Sequence, residues 1–177
     1  MIPTRGQITK LWDKYHLPAQ KRLHAALVAK VAVFLAMRDA GKCQINIPLL
    51  QAAALLHDID KSIPKMPGEE HPDTAVRALR EEGMEEVAGI IKTHPLHAIL
   101  NPLIAPATRE EKLLFLSDKM VKHTIITVDA RFALWRKEDL SKEARQLLDL
   151  SYPAVKRLEA EVFTAIGILP ETVAKLA

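Results

Sequence analysis

The dipeptide His57-Asp58 is the most chemically loaded pair in the chain, and it follows the apolar run LLQAAALL. An imidazole beside a carboxylate at the end of an apolar helix is costly to bury unless both groups are paired or hold a cation. A metal ion is the strongest compensation available. Three further residues stand in comparable surroundings. His24 adjoins Leu23, His94 follows Ile90 and Ile91, and Asp118 interrupts the apolar stretch LLFLSDKMV. Taken singly, each has a plain alternative: a hydrogen-bonded core histidine, a solvated helix end, or a surface aspartate beside Lys119 and Lys122. His71, taken alone, reads equally as a loop residue before Pro72. Taken together, successive helices each carry a nitrogen or oxygen donor next to core positions. Facing helices of a bundle are a natural scaffold for a metal site.

Positive side chains accompany these donors. Lys61, three residues after Asp58, is a candidate for stabilising charge that develops on a phosphate, with a solvated loop lysine as the alternative. Lys119, Lys122 and Arg131 follow Asp118 and are further candidates for phosphate contact or for plain surface charge. His97, beyond Pro95, is a candidate substrate contact or proton donor to a leaving group.

The elements that must position these residues read as helices. Ile8, Leu11, Trp12 and Tyr15 recur at helical spacing, and Pro18 ends that element. A long helix over about 19–40 follows. Leu23, Ala26, Leu27, Val31, Phe34 and Leu35 are expected on its buried face, and Gly41 just beyond its end. Asn46 reads as the N-cap of the helix that leads to His57, with Pro48 in its first turn. That helix is apolar nearly all round and is expected at the centre. The prolines of IDKSIPKMPGEE and of PLHAILNPLIAPA mark loops. Shorter helices are expected over about 72–82, closed by Gly83, and about 84–93. Thr108 and Glu111 form a capping-box pattern that opens the helix bearing Asp118. A helical period returns over 141–166, where Pro153 is expected to kink or split it, and Pro170 can open a terminal helix. No stretch reads as a strand.

The expectation is an all-α fold, a single domain over 1–177 with a motif-bearing core at about 20–135 and C-terminal helices over 139–177. The composition agrees, with 49% apolar and 27% charged residues and few aromatics. The net charge of +3 is mild, and no block of Lys and Arg interleaves with aromatics, which argues against a nucleic-acid partner. A small phosphorylated partner suits this charge. Cys43 is the only cysteine, so neither an internal disulfide nor a thiolate cluster can form. A cytoplasmic location is expected, since the N-terminus MIPTRGQITK carries no secretory signal. No membrane association is expected, because the most apolar stretch, 25–37, is broken by Lys30 and too short to span a bilayer. A homo-oligomer stays open, since the amphipathic stretch 141–166 can pack on its own core or on a second subunit.

The order H…HD…D, here His24, His57-Asp58 and Asp118, resembles the HD-domain superfamily of metal-dependent phosphohydrolases. LLHDIDK resembles that superfamily's HDIG-type motif, with Asp60 standing where the motif has Gly. HPDTAVRALREEGMEEVAGIIKTH is similar to the segment that supplies two additional histidines, here His71 and His94. EKLLFLSDKMV resembles the helix with the last aspartate, and ARF at 130–132 resembles the stretch just beyond that helix in the superfamily. The resemblance implies a helical bundle with a central metal pocket. His24, His57, Asp58 and Asp118 would be its core ligands. His71 and His94 would complete a second position, with Asp58 bridging. It implies one or two divalent transition-metal ions (Mn, Fe, Co, Ni or Zn, given the donor set) and a hydrolase in which Asp58 and Lys61 are catalytic. The substrate expected is a nucleotide or similar small phosphate, contacted by Lys61, His97, Lys119, Lys122 and Arg131. The alternative is a catalytically silent module that binds metal and nucleotide in a regulatory role.

Overall fold

In the computed structural model, which describes residues 1–39 and 44–176, the chain forms helices, and no β-strand occurs among the described residues. Helix α1 (Arg5–Lys14) opens at a capping box in which the Thr4 hydroxyl accepts from the Gln7 N–H and the Gln7 side chain accepts from the Thr4 N–H. Helix α2 (Ala19–Asp39) runs nearly the expected length, and the expected Gly41 stop lies outside the described residues. Its buried face matches the expected one at Val31 and Leu35 and differs elsewhere. Ala25, Val28, Ala29, Val31, Ala32, Leu35 and Ala36 are buried, whereas Leu23 is 58% exposed and Ala26, Leu27 and Phe34 are half-buried. Apolar residues surround most of this helix, so its pattern orients it poorly. The alanine-rich side, which lets neighbouring backbones approach closely, turns inward.

Helix α3 (Ile47–Leu56) is the central element. Asn46 Oδ1 accepts from the Leu49 N–H at 3.1 Å, and Pro48 occupies the first turn, where no intrahelical N–H is needed. Leu50 and Ala52 through Leu56 are all buried, and α3 packs against both α1 and α2. Past Asp58 the chain makes a 3-10 turn, Ile59–Ser62, within the stretch expected to be loop. Such turns are too short to leave a hydrophobic period. Helices α4 (Asp73–Glu81) and α5 (Glu85–Ile91) follow, joined through Gly83, whose φ of 74° suits a residue without a Cβ. A second 3-10 turn, Leu96–Leu100, lies in the other expected loop.

Helix α6 (Arg109–Lys119) opens at the Thr108–Glu111 capping box. Arg109 reaches back to the buried carboxylate of Asp39 and ties the start of α6 to the end of α2. Helix α7 (Val128–Arg136) is an element that the sequence pattern did not reveal. It is short, with Val128 and Phe132 as its buried residues, and its signal is the N-cap Thr127, whose hydroxyl accepts from the Ala130 N–H. Helix α8 (Lys142–Ile166) is not split at Pro153. A proline forfeits one backbone hydrogen bond, and burial of Leu148 and Val155 on either side holds the helix together. With Leu158, Val162 and Phe163 these residues cover the α8 face with the chain's own core, against α2, α6, α7 and the second 3-10 turn. Helix α9 (Pro170–Ala174) ends the fold. No helix among the described residues is long and apolar enough to cross a membrane.

Glu69 pins the segment between the first 3-10 turn and α4. Its carboxylate accepts from Arg77 Nε at 2.6 Å, the Thr74 hydroxyl at 2.8 Å and the Met66 N–H at 2.9 Å. These bonds, the Arg77 one foremost, lower its pKa to about 2. A carboxyl depressed on folding adds stability above its ordinary value of about 4.5, lost as pH falls towards 2. Glu69→Gln is therefore expected to lower Tm at pH 7, and the gap from wild type should close below about pH 4.5. A gap that persists at low pH would assign the loss to packing. The rotated α2 face makes a second expectation. Leu35→Ala should cost about 2–5 kcal/mol in urea unfolding and Leu23→Ala less than about 0.5; equal costs would reverse the assignment of faces.

Candidate metal centre

Three helix ends converge on one place. His57 immediately follows α3, and its Nδ1 lies 2.8 Å from the Ala54 carbonyl. A carbonyl only accepts, so Nδ1 carries a proton and Nε2 faces the cluster. His94 lies in the turn after α5 and repeats the arrangement, its Nδ1 donating to the Ile91 carbonyl at 2.6 Å. Asp118 lies in the last turn of α6. His24 comes from the second turn of α2, with Nε2 3.1 Å from Asp118 Oδ1 and Nδ1 3.4 Å from the Lys122 carbonyl. His71, in the segment before α4, sets Nε2 3.0 Å from His94 Nε2 and 3.8 Å from Asp58 Oδ1.

All six residues expected as metal ligands are thus in one cluster. Their donor atoms form two groups, His24–His57–Asp58 and Asp58–His71–His94, each with its atoms within 4.8 Å of one another, and Asp58 belongs to both. Asp118 Oδ1 adds to the first group at 3.5 Å from His57 Nε2. His57 Nε2 itself is buried with no hydrogen-bond partner among the described residues. A buried imidazole nitrogen that faces two carboxylates without a hydrogen-bond partner fits a cation site. Imidazoles and carboxylates without thiolate suit Mn, Fe, Co, Ni or Zn.

The electrostatics follow from burial opposed by charge. Burial would raise the Asp58 carboxyl, but His57, Lys61 and Lys21 outweigh it and hold it far below the usual carboxylate range. Burial likewise opposes ionisation of Asp118, and Lys119, His24 and His57 overcome it. His94 is pushed well down, by burial first and then by His57 and Lys119. Burial also disfavours a charged His57, yet Asp58 and Asp118 leave it raised overall.

The cluster floors a pocket of about 620 Å³. Lys61 lies beside it, with Nζ 3.2 Å from Asp58 Oδ1. His97 is exposed on the rim. Arg131 stacks on the Trp135 ring at 4.3 Å, and its buried Nε and Nη1 have no partner among the described residues. Lys122 lines the pocket too, though its ammonium pairs with Glu138 at 3.1 Å. Lys119 has a different part from the expected phosphate contact. Its side chain is buried, and Nζ donates to the His94 carbonyl at 2.5 Å and to Asp118 Oδ2 at 2.8 Å, tying two corners of the cluster.

The sequence reading missed four residues here. Lys21 donates to Asp58 Oδ2 at 2.9 Å; it precedes His24 by one helical turn, a spacing that puts both on one face. Trp135 follows Arg131 at the same kind of interval. Gln20 and His123 complete that wall, and nothing local marks them.

An all-α bundle with a histidine–aspartate cluster at converging helix ends defines the class: a helical domain equipped to hold divalent metal. Residues 23–147 match the family model described as HD domain, and the chain belongs to the HD domain family. The match spans the whole cluster together with Arg131 and Trp135. Neither the curated proteins nor the solved structures compared with the chain gave a significant match.

Lys119→Met is expected to destabilise the metal-free protein by on the order of 3 kcal/mol in urea unfolding, because Asp118 loses its buried counter-charge. An unchanged midpoint would show that the pair contributes nothing net.

Proposed function

We propose that this HD-domain protein is a metal-dependent phosphohydrolase that cleaves a phosphoester bond in a nucleotide or a related small phosphorylated molecule. The observation that carries this reading is Asp58, shared by two donor groups at the floor of a pocket with cationic walls. His24, His57, Asp58 and Asp118 would hold one ion, and Asp58, His71 and His94 a second. Divalent ions so held activate water and neutralise phosphoryl charge.

The chain's own residues do the rest. Lys61 donates to a phosphoryl oxygen from its place beside Asp58. Arg131 offers a planar fork of unpaired donors, pre-set against the Trp135 ring and matched to the geometry of phosphate. Lys21 and Lys122 add positive charge at the rim. Trp135, Leu96 and Leu147 give an apolar wall on which a base or other flat group can lie. His97 stands where a leaving group can take a proton or the substrate a hydrogen bond. A carboxylate-buffered site with this many cations suits a small, strongly anionic substrate better than a nucleic-acid strand.

Elemental analysis of freshly purified protein is expected to find about two transition-metal ions per chain, falling towards one in His71→Ala. The loaded wild type should hydrolyse members of a nucleotide and generic phosphoester panel, and Arg131→Met should lose about 10–100-fold in kcat/KM, mainly through KM. Metal and nucleotide bound with no turnover would make the chain a binding module instead. No metal after reconstitution would remove the basis of the reading.

A further inference from the structure

We propose that Asp60 is a positioning residue that fixes the tautomer of His71 and aims its Nε2 at Asp58 and His94; the inference rests on the metal-centre reading above. A histidine can serve a metal through either nitrogen, and the bond made by the other one decides which. His57 and His94 settle the choice with the carbonyl three residues back, at 2.8 Å and 2.6 Å. His24 has the Lys122 carbonyl at 3.4 Å from Nδ1. In each of the three, Nδ1 faces a backbone oxygen and Nε2 turns to the cluster.

His71 has no such carbonyl. It precedes α4 rather than following a helix, and its Nδ1 faces the side chain of Asp60, with Oδ2 at 2.8 Å. Asp60 is itself only 4% exposed in its side chain and is carried by the 3-10 turn Ile59–Ser62, two residues past Asp58. Its other oxygen has no partner among the described residues, so the buried carboxylate has His71 as its hydrogen-bonding counterpart. The position at which the chain departs from the glycine of the HDIG pattern is therefore the one that supplies the missing acceptor.

One neighbour competes. Lys61 Nζ lies 3.3 Å from the same Nδ1. An ammonium only donates, so if it bonded there the His71 proton would move to Nε2 and face His94. The carboxylate contact is shorter, and Lys61 has Asp58 Oδ1 as an alternative acceptor at 3.2 Å. With Asp60 accepting, His71 Nε2 and His94 Nε2 meet at 3.0 Å with both lone pairs inward, an arrangement relieved by a cation. A charged acceptor also makes the His71 ring a stronger donor to metal than a carbonyl would.

The test is nitrogen-15 imidazole spectroscopy of the metal-free protein, with the His71 signals assigned by their loss in His71→Ala. Wild type is expected to show the Nδ1–H tautomer at His71. Asp60→Asn, whose amide oxygen still accepts, should keep it, and Asp60→Gly should lose it. Metal titration should then show one ion bound about 10–100-fold more weakly in Asp60→Gly, the other unchanged, with partial rescue in Asp60→Asn. An Nε2–H tautomer in wild type, or the same tautomer in Asp60→Gly, would overturn the proposal. The tautomer is read without metal or turnover. A protein that binds no metal would sink the function proposed above and still report on Asp60.

Discussion

The structure is organised around the cost of burying the Asp58 carboxylate. It is 6% exposed and sits at the end of the most apolar helix in the chain. An isolated carboxylate there would take up a proton. Lys21, Lys61 and the adjacent His57 keep it ionised. Lys21 arrives on α2 and Lys61 on the 3-10 turn. Satisfying one charge thus fixes where two separate stretches run, and the cavity with its cationic walls is the by-product.

Buried charge elsewhere obeys the same constraint. Asp118 is balanced by Lys119 from its own helix, and that lysine also binds the carbonyl of His94. The link joins the helix that bears the last aspartate to the turn that bears the last histidine. A largely buried pair, here a buried lysine and a partly exposed aspartate, adds little stability against a well-packed apolar alternative. Its effect here is to define the relative position of two corners of the cluster.

How much of this could be read from the residues depended on whether each signal was local. His57-Asp58 in an apolar run, the Thr108–Glu111 capping box and the Asn46 cap are local, and the helices they mark lie where the pattern puts them. The face of α2 is not a local matter. Its alanines and leucines encircle the helix, and only contact with α3, α6 and α8 decides that Ala25 and Ala32 go in while Leu23 stays out. Helix α7 escaped because one buried pair, Val128 and Phe132, leaves no repeating pattern. Lys21 escaped for another reason: a charged residue shows its purpose only when the opposite charge, distant in sequence, has been placed beside it.

The convergence of α3, α5 and α6 by their C-terminal ends has a consequence for the field inside the pocket. Each helix brings its C-terminal carbonyls, and so the negative end of its dipole, to the same cluster. Backbone alone therefore makes the floor of the pocket electronegative, before any side chain ionises, by about 0.3–1 kcal/mol per helix towards a positive charge. Two of those ends are closed by the rings of His57 and His94, which bond the carbonyls of Ala54 and Ile91. The imidazole that would grip an ion is also the stopper of its helix, so a bound cation would tighten α3 and α5 from their last turns inward.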